Sequence, residues 1–416
     1  MSLSCSPTPP FDTSLSLNQY CYCLPIERVE IERGIISASP TPTMASQLST
    51  RENYFASTAV FVSTQDVFSM KAQIKAIEDT INTDIYQQVI FARNNPSHFL
   101  VQSKTKGMFM GYDFHMTPNG PRLIEINTNA GGAFIVNALE NARGNTNTKA
   151  RDLITQMFLS EWKAAERLGV PKTIAIVDEN PKEQFHYPDM CLAADMLREQ
   201  GFKVFITDVN ALTLQGNKLY LGEHIIDIVY NRLTDFTLSE PKNKTLRQAL
   251  ENNAVVVSPS PRHHALYADK RNLTLLSDMD LLSHWGISKS VRDILSLIPN
   301  TIVVTSENTE YLWKNRRQYF FKPHSGFGSR ATYRGAKLTS KVWRHINANG
   351  YIAQKFIAPP LRAITYDGEK TELKFDLRVY TYDGTPILYA ARIYQGQTTN
   401  LRTKGGGLAP VIEVSF

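Results

Sequence analysis

The 416-residue sequence predicts a mixed α/β protein containing a small layer of parallel strands. Three observations carry that reading. Between residues 172 and 260 the short apolar runs TIAIVD, KVFIT, DIVYN and AVVVS are spaced as strands, with a helical pattern from Asp189 to Gln200 between the first two. Strand and helix in alternation build a parallel sheet covered by helices. Before that domain, Met70, Ile74, Ile77, Ile81, Ile85 and Val89 recur from Val67 onward at the spacing of one helix face. Between them, GMFMGYDFHM (107–116) and PRLIEIN (121–127) are strand-like runs joined by Thr117-Pro118-Asn119-Gly120, a hairpin composition.

Composition narrows the class. Hydrophobic residues make up 42% and charged residues 20%, with 22 Gly and 21 Pro, which excludes a disordered, collagenous or coiled-coil chain. The length allows two to three domains. No apolar run approaches the roughly 20 residues a membrane helix needs. Lys and Arg exceed Asp and Glu by 45 to 39, a net +6 spread along the chain, which suits an anionic small molecule at least as well as nucleic acid. Four cysteines, three of them early (Cys5, Cys21, Cys23), make no disulfide framework, and the C-x-C pair lacks a second half for a metal. No charged segment followed by an apolar one marks a secretory signal, so a reduced cytoplasmic compartment is expected.

Element by element, residues 1–50 are rich in Ser, Pro and Thr and read as a loosely ordered arm. Residues 51–170 hold the 67–89 helical pattern, the hairpin, and a helix from about Asp152 with Leu153, Met157, Phe158 and Trp162 on one face. Residues 171–262 are the parallel α/β unit. Residues 263–416 begin with a helix over about 265–284 and continue through mixed strands and helices to two final strands around Asp383-Gly384. There is no internal repeat.

The hairpin concentrates chemistry. On a strand, Glu125 and Asn127 share one face while Ile124 and Ile126 take the other. If the chain turns about Asn119, residues whose numbers sum to 238 face each other, which sets Asp113 opposite Glu125 at about 5 Å. Two facing carboxylates repel unless a cation lies between them, and two carboxylates with an amide oxygen suit Mg²⁺ shared with phosphates. A solvated sheet face has the same pattern. Asn129-Ala130-Gly131-Gly132 follows as a loop that can approach a ligand closely.

Further on, the strand Tyr319-Phe320-Phe321 runs into Lys322-Pro323-His324-Ser325-Gly326-Phe327-Gly328-Ser329-Arg330, a lysine followed by a Gly/Ser loop whose cation and N–H groups suit phosphate. It is not a Walker A motif. Tyr351 to Ile357 reads as a strand with a polar centre, fitting either a hinge against a purine or a plain core strand. Asp376 and Arg378 share a strand face; Arg392 joins them only if the Asp383-Gly384 turn has the right length. An edge hairpin with surface ion pairs is the alternative. Asn400 precedes the flexible Gly405-Gly406-Gly407. The paired His263 and His264 are read as structural or substrate-facing. Arg232, ending the YNR strand, sits where open α/β sheets receive ligands, and is either a partner for a substrate carboxylate or a helix-surface or interdomain ion pair.

Taken in order, these pieces resemble the ATP-grasp ligases. Asp376, Arg378, Ala390-Ala391, Arg392, Asn400 and Gly405-Gly406 match the D-x-R, A-A-x-R and Asn/Gly-Gly series of glutamate-adding members, while the Asp and E-x-N that should follow stand earlier, at Asp113, Glu125 and Asn127. That order is similar to the circularly permuted glutathionylspermidine synthetase and eukaryotic glutathione synthetase group. The resemblance covers 107–132 and 262–410. It implies a circularly permuted ATP-grasp fold in which Asp113, Glu125 and Asn127 hold Mg²⁺. Lys270 and Lys322 would contact ATP phosphates, and Ser325, Gly326 and Gly328 would form a lid. Gln354, Lys355 and Ile357 would line the adenine hinge, Asp376 and Asn400 would face the nucleotide, and Arg378 and Arg392 would neutralise the transferred phosphoryl group. Gly111 stands where many relatives carry an arginine, so either Arg378, Arg392 or Arg330 supplies that charge or the activity differs from ligation.

The resemblance thus implies an ATP-dependent carboxylate–amine ligase that uses ATP and Mg²⁺ and forms an amide bond through an acyl phosphate. Its partners would be a small-molecule acid and an amine of amino-acid, peptide or polyamine type. Neither nucleic acid nor membrane is implied, and a homodimer is compatible. A phosphotransferase, or a nucleotide-binding protein without ligase activity, are the alternatives.

Overall fold

A computed structural model describes residues 13–21, 28–38, 44–93, 104–142, 148–326 and 331–415. Its main sheet runs in the order Val60–Ser63, Gly407–Val414, Thr385–Tyr394, Glu369–Tyr382, Met110–Thr117, Gly120–Asn127, with Leu361–Tyr366 paired to the early half of the long 369–382 strand. Late strands therefore lie between early ones. The register sets Arg378 beside Asp113 and Asp376 beside Arg392, so the D-x-R strand is bonded directly to both the hairpin and the A-A-x-R strand. Arg392 does join the face.

The 171–262 unit matches the expected layer: Val256–Ser258, Ile228–Asn231, Thr173–Asp178 and Lys203–Asp208 are parallel throughout. Its helix, Tyr187–Glu199, has Pro188 in the first turn, where no N–H is needed, and buries Met190, Leu192, Ala193, Ala194 and Leu197 against the strands. A three-stranded meander, Leu212–Gln215, Lys218–Leu221 and His224–Ile226, was not anticipated; its tight turns use Gly216 and Gly222 at φ 57° and 59°. A fourth sheet, antiparallel, orders Thr301–Val303, Tyr351–Lys355, Tyr319–Pro323 and Tyr333–Arg334 over a core of Leu312, Phe321, Trp343 and Ile346.

Several boundaries differ from expectation for identifiable reasons. The helical pattern from Val67 is two helices, Thr64–Ile81 and Asp84–Arg93. The second turns Tyr86 and Ile90 inward and leaves Ile85 exposed, because the break at residues 82–83 resets the phase. The helix from Asp152 starts earlier, at Thr148. The single helix expected over 265–284 is a π-helical turn His264–Ala268 followed by Asn272–Leu276 and Met279–His284. Asp269 breaks it by accepting from the Arg271 backbone and pairing with its guanidinium, while Asp278 caps the next segment; Lys270 stands at the break.

The first fifty residues are not a loose arm where they are described. They form helices Ser14–Tyr20, Arg28–Ala38 and Met44–Ser49, and Ile31, Ile35, Met44 and Leu48 are buried in the main core. The anchor of the first helix is Arg362, 0% exposed, which donates to the carbonyls of Ala59, Asn18 and Cys21 and to the Thr58 hydroxyl. Cys5 and Cys23 lie outside the described residues. No described helix is long and apolar enough to cross a membrane.

Candidate active site

The hairpin brings its carboxylates together by a route the simple turn rule does not contain. Thr117 pairs with Gly120, so the loop is only Pro118-Asn119, and Phe114 pairs with Leu123. A bulge at Ile124 then shifts the register, giving Asp113 opposite Glu125, Tyr112 opposite Ile126 and Gly111 opposite Asn127. The 238 sum is right at the site and one residue off near the turn. The bulge also corrects the facing of Ile124, which lines the same cleft as Asp113 and Glu125, and its carbonyl accepts from Lys322 Nζ at 2.9 Å.

Asp113 is fully engaged. Arg378 donates Nε and Nη2 to its two oxygens at 2.7 Å each, Arg392 donates Nη2 at 2.7 Å, and Asn127 donates Nδ2 at 3.0 Å. Four donors fill about the four lone-pair positions a carboxylate has. Burial alone would raise this carboxyl, but Arg378 and Arg392 outweigh it and hold it below the usual range. Arg392 reaches on to Asp376 (Nε, 2.6 Å), which also accepts from Thr399. Gly111 explains how Arg378 arrives. A Cβ there would sit 2.7 Å from the Ala130 Cβ and 3.3 Å from Arg378 Nε, so the guanidinium of the neighbouring strand occupies the room a side chain at 111 would need.

Beside this group opens a cleft with about 900 Å³ of empty space. Lys270, Lys322 and Arg392 line it with Asp113, Glu125 and Asp376, and Phe320, Phe356, Ile357 and Pro359 supply apolar wall. Lys270 reaches the Gly326 carbonyl at 3.2 Å and lies 4.0 Å from the Glu125 carboxylate. Lys322 is held by Ile124 O and Gln354 Oε1, both at 2.9 Å, and burial lowers its pKa to about 8 against the pull of Glu125. Glu125, which burial would raise, is held low by Lys270 and Lys322. Among the described residues no group of three or more His, Cys, Asp or Glu side chains is arranged to hold a metal ion.

Of the residues singled out from the sequence, Asp113, Glu125, Lys270, Lys322, Gly326, Gln354, Lys355, Ile357, Asp376 and Arg392 line this one cleft. Asn127 and Arg378 stand directly behind it, bonded to Asp113. Ser325 is not part of the lining, and Gly328 and Arg330 lie outside the described residues. Asn400 is turned onto its own loop: its amide donates to Gln395 O and Thr398 O and accepts from Arg402 N and Thr403 Oγ1. Arg232 lies apart from the cleft, donating to Asn129 O at 3.0 Å under the glycine loop, where a Cβ on Gly131 would meet its Nη2 at 2.8 Å. His263 Nε2 bonds Thr105 O, and His264 stacks on Phe236 with ring centroids 4.1 Å apart. Sequence reasoning missed His115, Tyr394, Thr398 and Thr399 in the lining. His115 was findable, since it shares a strand face with Asp113.

No family model and no curated protein matches the sequence. Solved structures do. A glutathione synthetase-like effector from Globodera pallida, in apoform, aligns with 95% of this chain and 100% of its own at 10% identity and a TM-score of 0.56. The fold is shared with that glutathione synthetase-like protein. A Methylobacillus flagellatus protein named as a γ-glutamylcysteine synthetase covers 82% of this chain and 85% of its own at 11% identity and TM-score 0.49. The ATP-grasp ligase PsnB, complexed with a minimal precursor, covers 54% and 86% at 14% identity and TM-score 0.30. At such identities the likeness is one of fold. The main sheet has its carboxylate hairpin early in the chain and its arginine strands late, the order in which the motifs stand in the sequence.

Proposed function

We propose that this chain is an ATP-dependent carboxylate–amine ligase whose nucleotide occupies the cleft between the 110–127 hairpin and the 301–355 sheet. The observation that carries the reading is the convergence of Lys270, Lys322 and Arg392 on one cleft with Glu125. Three cations beside an acidic group suit a polyphosphate that arrives with a divalent ion.

The donor set fits Mg²⁺ with an amended ligand list. Among the described residues Glu125 has no hydrogen-bond donor to its carboxylate closer than the 4.0 Å of Lys270, and Asn127, whose Nδ2 is committed to Asp113, makes no hydrogen bond through its Oδ1. Glu125 and Asn127 would hold the ion jointly with phosphate oxygens, as Mg²⁺ prefers; Asp113, saturated by arginines, orients Asn127 rather than ligating. Bound there, the ion would neutralise charge on the phosphates.

An amine does not displace oxide from a carboxylate, so the acid must first gain a leaving group. In the proposed sequence a carboxylate oxygen takes the γ-phosphoryl, ADP leaves, the amine attacks the acyl carbon and phosphate departs. The transferring group spreads charge over its oxygens, and stabilising it is a matter of placed cations. Lys322 and Lys270 grip the phosphates. Arg392, fixed by Asp376 on one side and Asp113 on the other, presents a guanidinium that cannot swing away. Arg378 supplies from the neighbouring strand the charge absent at Gly111. Arg232 and the 129–132 loop remain the candidate seat of the acid, and the Gly326 segment the candidate lid over the acyl phosphate.

Glu125→Ala tests the core of the reading. ATP turnover should fall by about a hundredfold or more with the folded state intact by circular dichroism; turnover within a few-fold of the parent would sink the metal assignment. In a screen of acids and amines, ADP and free phosphate released only when both are present supports ligation, whereas ADP without free phosphate supports phosphoryl transfer.

A further inference from the structure

The chain carries a charge asymmetry that a nucleotide in the cleft does not use. From Glu310 to Asp367 the 56 intervening residues contain 11 Lys and Arg and no Asp or Glu, while the rest of the chain has 34 Lys and Arg against 39 Asp and Glu. The positive excess of the whole protein therefore sits on one stretch, which builds most of the antiparallel sheet over Leu312, Phe321, Trp343 and Ile346. Lys322 is committed to the cleft and Arg362 to the anchor of the first helix. Several of the others meet at the outer rim of the cleft. Arg334 pairs with Phe320 across the sheet, and its guanidinium lies 4.5 Å from the centre of the Phe356 ring; both phenylalanines line the cleft. The turn Gly335–Lys337 packs on Arg316–Gln318 so closely that a Cβ on Gly335 would sit 1.8 Å from the Arg316 carbonyl oxygen. Lys374 joins them from the long 369–382 strand, and burial, then Arg334 and Lys337, push its ammonium below its usual pKa.

Among the described residues none of Arg316, Arg317, Arg334, Lys337 and Lys374 is in an ion pair. Exposed lysines elsewhere are neutralised one turn away, Lys75 by Asp79 and Lys289 by Asp293. Like charges gathered without a counter-charge repel, and a partner that brings the missing acids relieves them. An extended polyanion such as a nucleic acid would overrun the rim onto a surface whose remaining charge is net −5. The ring faces of Trp313 and Phe356 beside the rim are already covered by Arg316 and Arg334, which denies a single strand those stacking platforms. A short acidic segment fits within the rim, and a guanidinium held flat on a ring keeps the N–H edge that a carboxylate takes. We propose that Arg316, Arg317, Arg334, Lys337 and Lys374 dock an acidic polypeptide segment across the mouth of the cleft. This goes beyond the ligase reading and needs no nucleotide.

The test is fluorescence anisotropy on the full chain, without nucleotide, at about 0.1 M salt, where screening over about 10 Å leaves a local cluster effective and distant charges weak. The probes are a labelled Glu-Ser repeat about ten residues long, which spans about 33 Å when extended, a Gln-Ser repeat of the same length and a thymidine oligonucleotide of similar reach. The parent should bind the Glu-Ser repeat at least about tenfold more tightly than either of the others. Arg317→Glu with Lys337→Glu, both at exposed positions, should weaken that binding by about tenfold or more. Lys71→Glu with Lys182→Glu makes the same change of charge on exposed lysines of other elements, and should weaken it by less than about threefold. Equal losses in the two double variants would overturn the proposal. The probe series on the parent chain needs no variant to fold: equal affinity for the Glu-Ser and Gln-Ser repeats overturns the proposal, and an oligonucleotide bound as tightly as the Glu-Ser repeat assigns the rim to nucleic acid instead. With no nucleotide in the assay, each of these failures leaves the nucleotide reading of the cleft standing.

Discussion

Lys322 gives the sharpest handle on the cleft, because one buried ammonium controls two observables of opposite sign. It is 4% exposed, held by Ile124 O and Gln354 Oε1, and burial lowers its pKa from 10.5 to about 8. The protonated fraction then falls from about nine-tenths at pH 7 to about one-tenth at pH 9. If only the ammonium grips phosphate, nucleotide Kd rises about tenfold over that interval, a loss of about 1.4 kcal/mol. Stability moves the other way. A lysine whose folded pKa lies below its unfolded one penalises the fold fully below pH 8, and the penalty lifts as pH rises from 8 toward 10.5. Calorimetric titration of Mg-nucleotide at pH 7, 8 and 9 reads the first effect. Lys322→Arg is the control, since a guanidinium stays charged throughout and its profile should be flat. A flat profile for the parent, or the same slope in Lys322→Arg, would refute the reasoning.

Two further changes probe what holds the site in place. Arg362→Met should leave the Ala59, Asn18 and Cys21 carbonyls without their donor and cost about 3–5 kcal/mol in urea unfolding; a loss below about 1 kcal/mol would mean water replaces the guanidinium. Asp113→Asn and Arg378→Met should each cost about 3 kcal/mol, and the double variant should fall short of the sum by at least about 1 kcal/mol, because either single change strands a buried charge. Strict additivity would show that the pair does not act as a unit.

How much of this was legible follows residue by residue. The parallel layer and the carboxylate hairpin announce themselves because apolar alternation and turn composition are local signals. Arg392 could not be assigned to the site from its own strand, since a single residue of register would have turned it away; the pairing of Asp376 with Arg392 decides it. The Ile124 bulge is invisible in a sequence that reads as an unbroken strand, yet it sets both the 113/125 pairing and the anchor for Lys322. Asp113 read as a metal ligand because its chemistry permits that; only the tertiary structure brings two arginines to it and assigns its lone pairs elsewhere. The first helices are hidden by a Ser/Pro/Thr background in which, among the described residues, Ile31, Ile35, Met44 and Leu48 are the buried apolar ones.

The strand order has a consequence for how such a protein comes to exist. Asp113 and its partner Arg378 are separated by 265 residues of chain. During synthesis the hairpin emerges with an open edge and an unbalanced pair of acids, and must wait while the whole parallel unit is made and folded before its neighbour appears. Contacts of such long range make for slow closure and prolonged exposure of a pairing edge. A nascent piece that stops short of the 369–382 strand lacks Asp376, Arg378 and Arg392, so the charged wall of the cleft comes together only once those late strands have emerged.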